Sequence, residues 1–127
     1  MPTEEIYKGT KFEIRSWVEK GSNIVLEFLE ELGANGDTDA ARLYNLMKQT
    51  ADNGMTFNIR HVRPLGNDIY EFKAPNTARI MFFYDKAKLI ICAHCFTGKK
   101  GNEDKYVKKQ IEKAAEVKTD YFKEKGE

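Results

Sequence analysis

The sequence predicts an α+β fold: a small antiparallel sheet packed against an N-terminal helical hairpin and followed by a C-terminal helix. Two early stretches carry apolar residues at helical spacing, four strand-like runs with short connections fill residues 57–96, and an amphipathic stretch follows them. With 127 residues, 41% hydrophobic content and a net charge of +1, the chain has the size and composition of one folded domain, 1–127.

Ile6, Tyr7, Phe12, Ile14 and Trp17 alternate with polar neighbours and are divided by Gly9-Thr10, which predicts a leading strand or hairpin. After Gly21-Ser22, the residues Ile24, Val25, Phe28, Leu29 and Leu32 share a helical face that stops at Gly33, a residue able to take the left-handed conformation of a C-terminal cap. Asn35-Gly36-Asp37-Thr38 then offers a turn and a capping side chain. Leu43, Leu46, Met47 and Thr50 line a second helix until Asn53-Gly54. Neither helix is apolar all round, so both are expected to lie on a sheet.

Strands are expected at 57–62, 69–74, 78–85 and 88–96, joined by 63–68, 75–77 and 86–87. Links this short imply an antiparallel meander. The run 89–96 is apolar at both parities apart from His94, the pattern of a strand covered on both faces, which places it centrally. Asn102 is the expected cap of the last helix, with Glu103 and Asp104 in its first turn and Val107, Ile111, Ala114, Lys118 and Phe122 at helical spacing.

Several function classes drop out. The longest apolar run, interrupted by His94, is far shorter than the roughly 20 residues that span a bilayer, and the acidic N-terminus lacks the basic and apolar stretches of a secretory signal. No membrane association and a cytoplasmic location are therefore expected. Cys92 and Cys95 form a CxxC inside a strand-like run, where residues three apart point to opposite faces; two buried thiols are expected rather than a redox pair or a zinc site. No glycine-rich nucleotide loop, nucleophile elbow or metal-ligand set is present, so no cofactor and no metal are expected.

Charge is distributed unevenly. Residues 1–37 hold eight acidic and four basic groups, whereas residues 55–100 hold three acidic and eight basic, which directs attention to the second half and to polyanionic partners. Lys73 and Arg79 flank the turn at 75–77, and Lys99-Lys100 follow the last strand. Alternation places Lys73 with Ile69 and Glu71, and Arg79 with Met81 and Phe83, so that a hairpin brings the two cations onto one face. With helices over Tyr70, Phe72, Ile80, Phe82 and Tyr84, the opposite face would be basic and partly apolar, suited to phosphate and to stacked bases. An ordinary cross-strand charge arrangement gives the same pattern.

The order Trp17, Ala51-Asp52-Asn53-Gly54, Val62-Arg63-Pro64-Leu65-Gly66, Ile69-Tyr70-Glu71-Phe72-Lys73, Ala78-Arg79-Ile80 and His94-Cys95-Phe96-Thr97-Gly98-Lys99-Lys100 resembles HigB-like toxins of the RelE/ParE superfamily, including its phage-derived RelE-like members. It departs from their usual pattern in having Lys73 for arginine, Ala78 for an aromatic residue, and one extra residue between Phe96 and Lys99. The resemblance implies a RelE-like fold and the toxin of a type II toxin–antitoxin system. Such a toxin is a metal-independent endoribonuclease that cuts messenger RNA on the ribosome, the ribose 2′-hydroxyl attacking the adjacent phosphate. A separate helix-turn-helix antitoxin is implied as partner.

Carried over by position, the resemblance makes Lys73, Arg79, Lys100 and Tyr106 the catalytic candidates, with Lys99 an alternative to Lys100. In that scheme Lys73 is the base, Arg79 and Lys100 stabilise transition-state charge, and Tyr106 orients or protonates a reacting group. Arg60, Arg63, Glu71, His94 and Lys99 are the accompanying RNA-binding candidates. For His94 a satisfied core histidine is the competing reading, and for Tyr106 a packing role. The alternative functions are a non-enzymatic inhibitor of DNA gyrase of the ParE type and an inactive phage-derived interaction module.

Overall fold

The computed structural model describes residues 3–54, 61–75, 78–86, 88–98 and 103–125, with the backbone alone at Glu103 and Asp104. Its elements run β1 (Thr3–Lys8), β2 (Glu13–Glu19), β3 (Ser22–Asn23), α1 (Ile24–Ala34), α2 (Asp39–Asn53), β4 (Val62–Gly66), β5 (Ile69–Lys73), β6 (Ala78–Asp85), β7 (Leu89–Thr97) and α3 (Glu103–Glu124). The architecture is α+β, with an open seven-stranded sheet in the order β1-β2-β7-β6-β5-β4 and the short β3 paired to β2.

The expected meander is present, since β4, β5, β6 and β7 pair antiparallel in succession. The sheet as a whole is mixed rather than antiparallel, because β2 runs parallel to β7 through Glu13↔Leu89 to Ser16↔Cys92. Parallel neighbours need a long crossover, and here both helices and the meander separate the two strands in the chain. That pairing makes β7 an interior strand, as its two-sided apolar pattern predicts.

The strand expected at 57–62 lies in fact at Val62–Gly66, and residues 57–60 fall outside the described residues. Asn67 and Asp68, with φ of 55° and 59°, form the turn into β5. This pair of left-handed residues matches the natural twist of a two-residue hairpin and draws the preceding residues into the strand. Pro64 is tolerated because β4 is the sheet edge.

Helix α1 also differs from expectation. It runs through Gly33 to Ala34, and the left-handed residue that closes it is Gly36, with φ of 73°. The backbone N–H of Asp37 donates to Leu32 O at 2.9 Å and that of Gly36 to Gly33 O at 3.0 Å, the paired bonds of a helix C-terminal cap. The predicted cap Asn102 of α3 lies outside the described residues.

The core has two halves, one on each sheet face. Val25, Leu32, Leu43, Met47 and Ala51 of α1 and α2 bury against Ile14, Phe72, Ile80, Phe82, Ile90 and Cys92. Phe72 and Phe82 stack there with ring centroids 4.3 Å apart. On the other face Ala114 and Tyr121 of α3 bury against Trp17, Ile69, Met81, Phe83, Ile91 and Phe96. The face expected to stand open is thus largely roofed by α3, because Met81, Phe83 and Ile91 present too much apolar surface to leave in water.

A bulge in β7 overturns the expected geometry of the cysteines. Phe82 pairs with Cys92 but Met81 pairs with His94, so Ala93 is an extra residue and the alternation shifts by one. Cys92 and Cys95 consequently share the face beneath α1 and α2, both with free thiols whose pKa burial raises.

Asp85 pins the end of α3. Its Oδ2 accepts the Tyr121 hydroxyl and the Lys125 ammonium, each at 2.5 Å. Burial pushes the Asp85 carboxyl up, but the hydrogen bonds from Lys125 and Tyr121 prevail and hold it below its ordinary value. A carboxyl lowered on folding contributes stability above its unfolded pKa and loses it as pH falls through the folded value. Asp85→Asn is therefore expected to destabilise the protein by about 1–2 kcal/mol at neutral pH. In denaturation curves against pH, that deficit should close below roughly pH 4; a pH-independent deficit would discard the ion-pair account.

Candidate nucleic-acid interface

One end of the sheet gathers most of the sequence-predicted residues. There β5 ends, β6 begins and β7 ends, so that Lys73 pairs with Arg79 and Arg79 with Phe96 across three strands. Glu71 is fully buried beside them. Its Oε2 accepts Arg63 Nε at 2.9 Å, and its Oε1 lies 3.6 Å from Arg79 Nε. The Arg79 side chain is 4% exposed, and a guanidinium so enclosed requires an opposing carboxylate.

From Arg79 the cluster continues towards α3. The guanidinium carbon stands 5.9 Å from the centre of the Phe96 ring, and Phe96 meets Tyr106 edge-on at 5.8 Å. The Tyr106 hydroxyl donates to Thr97 O at 3.2 Å in an exposed position. Glu71, Arg79, Phe96 and Tyr106 therefore form a line running from the buried sheet face to the surface.

His94 does not join this line through any hydrogen bond. Its Nε2 lies 2.5 Å from Gln110 Oε1 of α3, its ring stacks on Phe96 at 5.8 Å, and burial lowers its pKa against the opposing effect of the Gln110 bond. Arg60, Lys99 and Lys100 lie outside the described residues. Among the described residues no group of three or more His, Cys, Asp or Glu is placed to hold a metal ion.

Lys73 also borders a second feature that the sequence did not announce, a cleft of about 290 Å³ between α2 and the end of β5. Arg42, Asn45, Leu46 and Gln49 line its α2 wall, and His61, Lys73, Ala74 and Pro75 the other. The four α2 residues are spaced i, i+3, i+4 and i+7, which puts them on one helical face. Backbone pairing holds the opposite wall, with Lys73 N–H donating to His61 O at 2.7 Å. The spacing of Arg42, Asn45 and Gln49 was visible in the sequence, but nothing local said which strand end they face.

A larger groove of about 610 Å³ lies between α1 and α3 and has the opposite character: Glu19, Glu27, Glu31 and Glu116 line it with Lys113. Carboxylates thus line that groove, whereas the described walls of the cleft beside Lys73 carry none.

The sequence matches the family described as "Phage derived protein Gp49-like" over residues 28–119. The chain belongs to this family. Gp49-like proteins fall within the RelE/ParE-like toxin group. In this Gp49-like protein the matched region starts inside α1 and ends inside α3, so it includes Glu71, Lys73, Arg79, Phe96 and Tyr106 as well as the whole cleft beside α2. Comparison with curated proteins finds no matching relative. No helix among the described residues is long and apolar enough to cross a membrane.

Proposed function

We propose that this protein is the toxin of a type II toxin–antitoxin system and acts in the cytoplasm as a metal-independent, ribosome-dependent messenger RNA endonuclease. The observation that carries the reading is the alignment of Lys73, Arg79, Phe96 and Tyr106 at one sheet end, in a chain of the Gp49-like family. In this reaction the ribose 2′-oxygen bonds to the adjacent phosphorus and the bond to the 5′-oxygen breaks, leaving a 2′,3′-cyclic phosphate and a 5′-hydroxyl. Lys73, half-buried at the strand end, takes the 2′-hydroxyl proton, and Tyr106 protonates the departing 5′-oxygen. Arg79 acts from beneath, a fixed positive charge held by Glu71 that favours the extra negative charge of the transition state. A helix-turn-helix antitoxin is the expected neutralising partner.

Tyr106→Phe keeps the ring that packs on Phe96 and removes only the hydroxyl, so it separates chemistry from folding better than a change at the buried Arg79. Induced in bacteria, the wild type is expected to cut transcripts within translated codons, leaving 5′-hydroxyl ends. Tyr106→Phe should cut about 100-fold or more slowly at unchanged thermal stability.

One observation favours a second reading. Arg79 is enclosed and already faces Glu71, as a purely structural cation would. A non-enzymatic gyrase inhibitor would arrest growth with relaxed plasmid DNA and intact transcripts, and absence of arrest would indicate an inactive interaction module.

A further inference from the structure

We infer that the cleft between α2 and the end of β5 is a nucleotide-binding subsite, in which Arg42 and Lys73 take a phosphate while Asn45 and Gln49 read the edge of the attached base. This deepens the proposed RNA cleavage and rests on it for the identity of the strand bound. Three observations carry it.

The first is chemical composition. The described walls hold two basic side chains, Arg42 and Lys73, an imidazole and two carboxamides, and no carboxylate among them. Cations recognise phosphate, whereas a carboxamide carries a donor and an acceptor side by side and matches the edge of a base. Leu46, Ala74 and Pro75 add apolar surface against which a base face can rest.

The second is that these donors have no partner among the described residues. Some cations elsewhere do meet carboxylates: Arg15 with Glu13, Arg63 with Glu71, Lys118 with Asp68 and Lys125 with Asp85. No side-chain hydrogen bond or ion pair joins Arg42, Asn45, Gln49, His61 or Lys73 to another described residue. Five donor-bearing side chains with no such partner among the described residues thus surround one concavity, an arrangement suited to a ligand.

The third is position and size. Lys73 borders the cleft and pairs across the strands with Arg79, so the cleft adjoins the proposed site of cleavage. A volume of about 290 Å³ sits at the lower end of small-molecule sites, roughly 300 Å³ upward, and suits one nucleotide rather than a duplex. The acidic groove between α1 and α3 is larger, but its four glutamates exclude phosphate.

The test titrates the isotope-labelled full chain with adenosine 5′-monophosphate, inorganic phosphate or a pentaglutamate peptide, following the side-chain amide signals of Asn45 and Gln49 by NMR. The nucleotide should shift both signals saturably and bind about tenfold or more tightly than phosphate. The exposed pair Arg42→Gln and Gln49→Ala, combined in one chain with a well-dispersed spectrum, should weaken nucleotide binding about tenfold or more, read from the Asn45 amide and neighbouring backbone signals.

Unmoved amides, or binding unchanged in the double variant, overturn the inference. So does phosphate binding as tightly as the nucleotide, which would mean a simple anion hole, or the peptide binding as tightly, which would mean an acidic protein partner. The two readings fail separately. Nucleotide binding as described with intact transcripts in induced cells removes the nuclease and leaves the subsite. Cut transcripts with binding unaffected by the double variant remove the subsite alone.

Discussion

Glu71→Ala is expected to destabilise the protein by about 3–5 kcal/mol, because it strips a buried guanidinium of the carboxylate it faces. Glu71 is fully buried and Arg79 is 4% exposed, so water cannot replace the missing charge. Arg63 loses its 2.9 Å bond to the same carboxylate, but its partial exposure lets solvent compensate. The decisive companion is the double replacement Glu71→Leu with Arg79→Met. An apolar pair of similar volume needs no desolvated charge, and it should recover most of the loss. Chemical denaturation measures both. Equal instability in the single and double variants would mean that packing around the pair, rather than charge, is what Glu71 maintains. The same experiment bears on function: the recovered double variant should fold yet cut no RNA if Arg79 supplies the proposed field.

Gly9→Ala is expected to cost about 3 kcal/mol, through overpacking rather than charge. A Cβ at position 9 would stand 2.4 Å from the carbonyl carbon of Ala51 and 2.5 Å from its oxygen, both backbone atoms with little freedom to retreat. That carbonyl belongs to the last turn of α2, where no helical partner remains for it, and it accepts the N–H groups of Lys11 and Phe12 at 2.8 and 2.9 Å. The β1–β2 turn and the end of α2 are thus clamped together by two hydrogen bonds that a methyl group would pry apart. A fall in thermal midpoint of roughly 10 °C is the expected readout. Gly33→Ala is the control: nothing lies within 4 Å of its added Cβ, and inside a helix alanine should be neutral or stabilising. A loss at position 9 no larger than at position 33 would show that the contact with Ala51 does not govern position 9.

The sequence carried the parts of the fold that depend on neighbours along the chain. Helical spacing placed α1 and α2 to within a residue or two, and alternation bounded by turn residues placed β5, β6 and β7 nearly as observed. The two-sided apolar pattern of β7 also told its interior position, because burial on both faces leaves a mark on every residue of a strand. Pattern alone misplaces β4 for a local reason: residues 63–68 look like a loop, although Asn67 and Asp68 make a turn tight enough to keep Arg63, Pro64 and Gly66 in the ladder.

The candidate site divides the same way. That Lys73 and Arg79 share a sheet end followed from hairpin geometry, whereas Tyr106 came only from the family resemblance. That Arg79 is enclosed against Glu71 did not, because it depends on α3 settling over a face that alternation alone left open.

What the sequence determined by itself is the three helices, the strands β5 to β7 with their antiparallel meander, and the sharing of one strand end by Lys73 and Arg79, since each follows from periods of 2 or 3.6 residues and from turn chemistry. Tertiary structure decided the rest: the parallel contact of β2 with β7, the extra Ala93 that turned Cys95 and His94 about, and the meeting of Arg42, Asn45 and Gln49 with His61 and Lys73. These join residues distant in the chain, and which surfaces meet is set by burying the largest apolar area at once, a quantity that no local window contains.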